Sequence, residues 1–219
     1  MRKEEITLAI ESAVGGGSLS LLKRGSVIDR WVGEREVSRS EELIESISAI
    51  LTRNQIKPGD LDMLAVSRGP GSYTGARIGL ATAIGLKNGL DIECLGASIF
   101  DSFYYKFGNQ KLDVITAVSF GKKEVCYQVF EKFHNNNEIG KVSPEIISFE
   151  KFIKYFKYNL DTILVLNQKL YIEAEEYLSD DTFKKNTINA GFILSDLVGQ
   201  FVISGDGSDN NAPIYTHFS

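Results

Sequence analysis

The sequence has little of several features that would point to particular classes of protein. Its 219 residues include two cysteines, two histidines and four prolines, and no long run is uniformly apolar. Because a membrane-spanning helix needs about 20 apolar residues, we expect no membrane span. In the opening stretch "MRKEEITLAIESA", the charged residues are followed at once by a short strand-like segment. A secretory signal would have a longer apolar core at this place. We therefore expect a cytoplasmic protein.

The few cysteines and histidines argue against metal binding and against catalysis by histidine. Cys94 and Cys126 stand apart without a CxxC spacing, which is typical of reduced core cysteines. His134 lies in an asparagine-rich turn and His217 lies near the end of the sequence, and neither accompanies a recognisable nucleophile. A net charge of -5 without a dense basic run argues against a protein that binds nucleic acid without a partner. We expect weak binding to RNA alone and contact with RNA only through a partner.

Two periodicities alternate along the first half of the chain. The runs "ITLAIE", "SLSLL" and "SVIDRWV" predict three antiparallel strands, and Ser40 begins an amphipathic helix. After this helix come the strand "MLAVS", a second helix and the strand "ECLGA". Residues 1–97 are therefore predicted to form a βββαβαβ unit. Residues 98–219 repeat this order loosely, with the strand pair "VITAVSF" and "EVCYQVF", the strand "TILVL" and further helices. The fold class is α/β, with mixed sheets flanked by helices.

The strongest local signal is "GPGSYTGARIGLATAIGL", residues 69–86. A P-loop needs a lysine after its last glycine, whereas Gly75 precedes Ala76, and the GxGxxxG spacing departs from the dinucleotide fingerprint. Acyl-CoA-dependent acetyltransferases bind the pyrophosphate of the coenzyme in a loop of the pattern R-x-x-G-x-G/A. Residues Arg68 to Gly71 match the first half of this pattern, and Tyr73 stands where the pattern ends in a small residue. The structural alternative is a sharp turn, a helix capped by Ser72 or Thr74, and a small-residue face for close packing.

A second candidate site follows the first strand. In actin-like and sugar-kinase-like proteins this strand ends in an aspartate for the metal, and a turn of small residues lies under the phosphates. Here the strand ends in a longer carboxylate, and the glycines come later in the turn. The candidate nucleotide-binding residues are Glu11, Ser12, Gly15 and Gly16. Flexibility of the hairpin is the other interpretation of these glycines.

Residues 69–86 closely resemble the GPGSFTGxRIGLAxAxGLA signature of the TsaB family, also called YeaZ. The similarity extends to "LAIESA", "SRSEELIESISAIL", "DLDMLAV" and "GASIFDS", from about Ile6 to Ser102. Later, "GKKEVCYQVF" and "APIYTH" are similar to a strand and a C-terminal segment of the family. The chain departs from the family at Glu11, at Arg39, and at Asn167-Gln168-Lys169, where the family has aspartate, histidine and glycines.

The resemblance implies a two-lobed fold of the actin-like ATPase type (ASKHA, ribonuclease H-like). It also implies a catalytically silent paralogue of TsaD, the enzyme that transfers a threonylcarbamoyl group to the adenosine next to the anticodon of tRNA (the t6A modification). The implied partners are a TsaD-type transferase, a TsaE-type ATPase and a second copy of the chain, with tRNA bound only through the complex. The resemblance implies no cofactor of the chain's own and leaves open ATP or ADP at a shared interface.

Two alternative functions remain from the residues themselves. One is an ATP-binding phosphotransferase or ATPase that uses the actin-like cleft, and the other is an acyl-CoA-dependent acetyltransferase. TsaD-type metal binding needs a pair of histidines on one helix, and this sequence has no such pair. That difference favours the non-catalytic interpretation.

The small-residue helix gives a hypothesis for the partner interface. Residues of the two helices at helical spacing are predicted to meet a partner: Leu43, Ile47, Ile50, Tyr73, Gly75, Gly79 and Ala83. The signature loop is formed by Gly69, Pro70, Gly71, Ser72, Thr74 and Arg77. On this hypothesis Gly79→Arg breaks association and leaves the sheet intact.

Overall fold

The computed structural model describes residues 5–33, 40–108, 111–132, 139–156, 161–177, 185–210 and 212–214. His134 and His217 lie outside these ranges. None of the helices in the described ranges is both long and apolar enough to cross a membrane. The chain folds as two units. Unit 1 holds the described residues up to Ser102 and those from Ile193 onward, and unit 2 holds the described residues of Phe103–Phe192.

Unit 1 is built on a five-stranded sheet with β1 at its centre. The predicted meander is confirmed: β1 (Ile6–Glu11), β2 (Ser18–Lys23) and β3 (Ser26–Val32) pair antiparallel. β4 (Met63–Ser67) pairs parallel to the other side of β1, and β5 (Glu93–Ala97) pairs parallel to β4, which gives the order β3-β2-β1-β4-β5. The carboxyl ends of β1 and β4 therefore lie side by side at one edge of the sheet.

Two helices cover one face of this sheet. α1 (Ser40–Arg53) and α2 (Tyr73–Leu90) pack beside each other and bury aliphatic side chains against β1, β2 and β4. A short 3-10 turn over Pro58–Asp60 leads from α1 into β4. α1 forms because its aliphatic residues recur at helical spacing, which places them in one stripe toward the sheet.

Unit 2 repeats the plan of unit 1 in its strand order. α3 (Ile99–Phe107) carries the boundary between the units. The sheet has the order β11-β10-β6-β7-β8, in which β6 pairs antiparallel to β7 and parallel to β10, and β9 also pairs with β7. Its strands are β6 (Asp113–Phe120), β7 (Glu124–Lys132), β8 (Ile139–Lys141), β9 (Glu145–Ser148), β10 (Thr162–Leu166) and β11 (Thr187–Asn189). The predicted fold class, two lobes that each have a mixed sheet flanked by helices, is confirmed.

Two further helices pack on one face of the unit 2 sheet. α4 (Phe149–Phe156) buries Phe152 and Phe156, and α5 (Gln168–Glu175) buries Leu170. The ring of Phe149 contacts the ring of Tyr177 at 5.5 Å between centroids. Aromatic residues of α4 therefore pack on this face together with aliphatic residues of the strands and of α5.

The α-helix that follows β11 belongs to unit 1. α6 (Leu194–Phe201) lies on the face of the sheet opposite α1 and α2, where Gly199 lets it approach Ala9 and Leu22. This division differs from the predicted one, which assigned 1–97 to the first unit and 98–219 to the second. The difference arises because β1, β2 and β4 have a second apolar face. Among the described residues, α6 covers this face, and α6 is distant from these strands in sequence.

Polar contacts also hold α6 on the sheet, and they yield a stability prediction. Asp196 accepts hydrogen bonds from Ser20 Oγ at 2.5 Å and from Arg30 Nε at 2.7 Å. The ion pair with half-exposed Arg30 contributes little, whereas buried Ser20 loses a partner when the carboxylate is removed. We expect Asp196→Ala to lower the free energy of unfolding by about 1 to 2 kcal/mol in urea titrations.

The matched control for this prediction is Asp209→Ala. Asp209 is an exposed carboxylate that follows α6, so its removal should change the free energy of unfolding by less than about 0.5 kcal/mol. Equal effects of the two substitutions would contradict a role of Asp196 in docking α6.

Candidate functional site

The signature loop joins β4 to α2 in a sharp turn. The Gly69–Pro70 peptide bond is cis, and Gly69 has a φ of 90°, a conformation that residues other than glycine rarely adopt. Ser72 then caps α2, because its Oγ accepts a hydrogen bond from the Gly75 amide at 3.1 Å. Of the two predicted caps, the structure has Ser72 rather than Thr74. The structural interpretation of this loop as a turn and helix cap is therefore confirmed.

The small-residue face of α2 packs against the chain's own β1. A side chain at Gly75 would overlap the Ser12 carbonyl oxygen, and one at Gly79 would overlap the Ser12 hydroxyl. Ser12 Oγ also donates a hydrogen bond to the Gly75 carbonyl oxygen at 2.7 Å. The glycines thus permit close approach of Ser12, the residue that follows β1 in the same chain. Gly79→Arg consequently perturbs the interior of unit 1, which corrects the expectation that it would leave the sheet intact.

Most of the predicted interface residues lie inside unit 1. The predicted residues with almost no exposed surface are Leu43, Ile47, Ile50, Gly75, Gly79 and Ala83. Leu43, Ile47, Ile50 and Ala83 belong to the apolar cluster that α1 and α2 form against the sheet. A buried side chain is not available to a partner, so the interface prediction is wrong for these six residues. The helical spacing identified the packed face correctly but assigned it to the wrong neighbour.

The outer face of the same two helices exposes apolar side chains. Ile44 of α1 is 58% exposed, and Tyr73 and Ile84 of α2 are 53% and 41% exposed. The Arg77 guanidinium carbon lies 3.7 Å from the centroid of the Tyr73 ring, so the two side chains cover each other in part. We call Ile44, Tyr73, Arg77 and Ile84 the outer face. Of its members, sequence reasoning named Tyr73 as an interface residue and Arg77 as a residue of the signature loop. It missed Ile84, although Tyr73, Arg77 and Ile84 recur at helical spacing.

Glu11 ends β1 with a buried carboxyl group. Its Oε1 accepts hydrogen bonds from the Ala13 amide at 2.6 Å and the Val14 amide at 3.0 Å. The side chain is only 1% exposed. Burial raises the pKa of Glu11 from 4.5 to about 7, and the two amide hydrogen bonds oppose the rise only in part. The carboxyl group therefore lies inward and serves the turn that follows it.

Several polar groups of the turn after β1 form hydrogen bonds within the chain. In this turn the amides of Ala13 and Val14 already donate to Glu11. The Ser12 hydroxyl donates to α2, and Gly16 is packed closely by Gly33. Phosphate binding requires amides that point outward, and the amides of Ala13 and Val14 are used within the chain. Gly15 has a φ of 61° and open space around it, which agrees with its role as a turn residue.

The corresponding edge of unit 2 is also closed by internal hydrogen bonds. Asn167 Oδ1 accepts from the Ser119 amide at 3.1 Å, and Asn189 Nδ2 donates to Gln168 Oε1 at 2.8 Å. These residues include the Asn167-Gln168 pair, which stands where the resemblance predicts glycines. Amide side chains therefore fill this edge with contacts of unit 2 itself. In the described residues, no group of three or more His, Cys, Asp or Glu side chains could hold a metal ion.

The residues that match half of the coenzyme A loop, Arg68 to Gly71, also make contacts within unit 1. Arg68 Nε donates to the Ala212 carbonyl oxygen at 2.9 Å, and the Arg68 carbonyl oxygen accepts from the Ile214 amide at 2.8 Å. The Ser72 amide donates to the Ala13 carbonyl oxygen at 2.6 Å. The loop thus holds the C-terminal segment and the β1 turn, and neither contact leaves these groups free for a pyrophosphate.

Comparisons with known proteins agree with the loop and the strand order. A family model described as TsaD, tRNA N6-adenosine threonylcarbamoyltransferase, matches residues 35–209. The chain belongs to this family. The Escherichia coli protein named tRNA threonylcarbamoyladenosine biosynthesis protein TsaB is 28% identical over 150 residues, which are 64% of this chain and 63% of the relative. A TsaB from Buchnera aphidicola subsp. Baizongia pistaciae is 25% identical over 193 residues, which are 86% and 81% of the two chains.

A solved structure with the TsaB fold matches nearly the whole chain. YeaZ from Pseudomonas aeruginosa superposes with a TM-score of 0.63, covers 96% of this chain and 99% of its own, and is 17% identical. At this identity the match shows the fold alone. Together with the repeated strand order of the two units, it confirms the predicted α/β fold of two lobes, each with a mixed sheet flanked by helices. The matched region spans 63% of the Escherichia coli relative, slightly less than two thirds of its length.

Proposed function

We propose that the chain is a non-catalytic subunit that works with a TsaD-type transferase in the threonylcarbamoyladenosine modification of tRNA. The observation that carries the proposal is the signature loop, which packs α2 onto β1 and leaves the apolar outer face of α1 and α2 exposed. The curated relatives are named for biosynthesis of this modified nucleoside. The polar groups at the ends of β1 and β10 bond within the chain, which supports a role as a partner rather than as an enzyme.

The internal hydrogen bonds support the non-catalytic part of the proposal. At the end of β1, the carboxylate that actin-like enzymes use for metal is replaced by Glu11, which is buried and bonded to its own turn. At the end of β10, amide side chains take the place of glycines. Catalysis on a nucleotide needs these edges open. In this chain, the side chains at both edges form hydrogen bonds with neighbouring groups of the same unit.

The outer face supports the partner part of the proposal. Its apolar members lie on two neighbouring helices whose exposed charges differ in sign: α1 carries Glu41 and Glu45, and α2 carries Arg77 and Lys87. In a twofold contact that sets each α1 against the partner's α2, acidic residues face basic residues. This arrangement suits a second copy of the chain or a TsaD-type paralogue of the same fold. A TsaE-type ATPase and tRNA then join through that complex.

Depletion of the chain from its own cells tests the proposed function. We expect threonylcarbamoyladenosine in digested tRNA, measured by mass spectrometry, to fall by at least tenfold and to return when the wild-type chain is restored. A tagged chain should also recover a TsaD-type protein. Unchanged levels of the nucleoside after depletion would contradict the pathway, and ATP turnover by the isolated chain at ordinary enzyme rates would contradict the non-catalytic role.

A further inference from the structure

The end of β7 in unit 2 packs against α3 on the sheet face opposite α4 and α5. Tyr127 and Val129 of β7 pack with the cluster that α4 and α5 form, so the next residue, Phe130, points to the other face. There the Phe130 ring stacks on the Tyr104 ring of α3, with 4.5 Å between the ring centroids. The last turn of α3 and the end of β7 therefore meet on this face.

Three lysines and a tyrosine belong to the elements that meet at this stack. Lys141 of β8 is the register partner of Phe130, and its Nζ lies 6.0 Å from the centroid of the Phe130 ring. Lys132 follows Phe130 by two residues, so it lies on the same face and is a diagonal neighbour of Lys141, about 7 to 8 Å away between Cα atoms. Lys106 is exposed in the last turn of α3, and Tyr105 beside it is 49% exposed. We call Tyr105, Lys106, Lys132 and Lys141 the lysine face.

We propose that the lysine face contacts the phosphate backbone of tRNA when the chain works with its transferase partner. Two lysines at this separation can bind phosphates of one RNA strand, because each ammonium group sits on a flexible four-carbon stem. The exposed ring of Tyr105 offers a surface on which an unpaired base can stack. The choice of tRNA rests on the proposed function, since the curated relatives are named for a tRNA modification.

The carboxyl groups nearest to these lysines in the strand register are directed to other contacts. Glu131 lies between Phe130 and Lys132 in β7, so the alternation of the strand directs it to the opposite face. Asp113 Oδ1 accepts a hydrogen bond from the Lys132 amide at 2.9 Å. Glu145 Oε2 accepts one from the hydroxyl of a tyrosine on the α4 and α5 face at 2.8 Å. The positive charge of the lysine face therefore stays available to an anionic partner.

The distribution of charge between the units agrees with this assignment. In the described residues of unit 1, acidic residues outnumber basic ones, whereas in those of unit 2 basic residues are slightly more numerous. Three lysines on a chain of net charge -5 give only weak binding to RNA. The lysine face therefore adds to the contacts that the transferase makes, which agrees with the expected weak binding of the chain alone.

Fluorescence anisotropy with an in vitro transcribed tRNA tests the proposal on the complex of the full chain with its transferase partner. The double variant Lys132→Gln/Lys141→Gln removes two phosphate contacts. We expect its affinity to fall at least about tenfold near 100 mM salt, and its slope of log K against log salt to become shallower by about two. The matched control is Lys151→Gln/Lys154→Gln, which removes the same charge from exposed positions of α4 on the other face. Its affinity should stay within about twofold of the wild type.

The two remaining members of the lysine face have separate readouts in the same assay. Lys106→Gln, added to the first double variant, should make the salt slope shallower by about one more. Tyr105→Ala should weaken binding about fivefold or more, and Tyr105→Phe should bind as the wild type does, because stacking needs the ring and not the hydroxyl. Circular dichroism and sedimentation with the transferase should match the wild type for every variant.

The outcomes separate this proposal from the proposed function. Equal affinities and salt slopes of the two double variants would overturn the proposal. If no complex with a transferase forms, the proposed function fails, and the same variants of the isolated chain are compared at about 20 mM salt, where weak phosphate contacts are measurable. There, too, only the loss of Lys132 and Lys141 should weaken binding, and absence of tRNA binding by the wild type would overturn the proposal. Binding of polyglutamate as tight as that of tRNA, with the same dependence on these lysines, would assign the face to an acidic protein segment instead.

Discussion

Gly75→Ala should lower the free energy of unfolding by roughly 3 kcal/mol, although alanine is the better helix former. The methyl group would overlap the Ser12 carbonyl oxygen, which is backbone and cannot rotate away. Either α2 or the β1 turn must shift, and both movements break the hydrogen bond from Ser12 Oγ to the Gly75 carbonyl oxygen. Urea or guanidinium unfolding followed by circular dichroism measures the loss.

Gly85→Ala in the same helix is the matched control. Gly85 is exposed and has nothing within 4 Å of the position that a Cβ would take. Here only the helix propensity changes, so we expect a gain of about 1 kcal/mol. The two glycines thus give opposite signs for the same substitution. A gain at both positions would mean that α2 does not pack on Ser12 as the structure has it.

The contrast between Gly75 and Gly85 also shows what sequence reasoning can supply. Spacing placed Gly75, Gly79 and Ala83 on one face and required a close neighbour for that face. Spacing contains no information on whether the neighbour lies in the same chain. The neighbour is Ser12, which is 63 residues away from Gly75 in sequence. Contacts at such separation depend on the strand order, which local patterns do not determine.

The same limit explains the division of the chain. The strands and helices of unit 1 were predictable because each has its own hydrophobic period. The docking of α6 was not, because the contact of Ser20 with Asp196 joins residues 176 apart in sequence. In the candidate site, the departure from aspartate to glutamate at position 11 was visible in the sequence. Its consequence was not, because the inward direction of the side chain depends on the geometry of the turn.

Ile44→Arg and Ile84→Arg should each weaken association at least about 100-fold, which corresponds to about 3 kcal/mol. Both side chains lie on the outer face, where we propose that a second copy or a TsaD-type protein binds. Arginine at either position places an unpaired charge and extra bulk in an apolar contact. Sedimentation of each variant alone, and with the TsaD-type protein, measures the loss. Circular dichroism should show an unchanged fold, because both isoleucines are exposed in unit 1.

Ile172→Arg is the control for this prediction, because Ile172 is 52% exposed but lies in α5 of unit 2. It adds the same charge and the same volume to the protein, so a general effect of charge on association would appear here as well. We expect its association to match that of the wild type. If Ile44→Arg and Ile84→Arg remain folded and associate as tightly as Ile172→Arg, the outer face of α1 and α2 is not where the partner binds. If all three lose association equally, net charge rather than the outer face is responsible, and the position of the interface must be sought elsewhere.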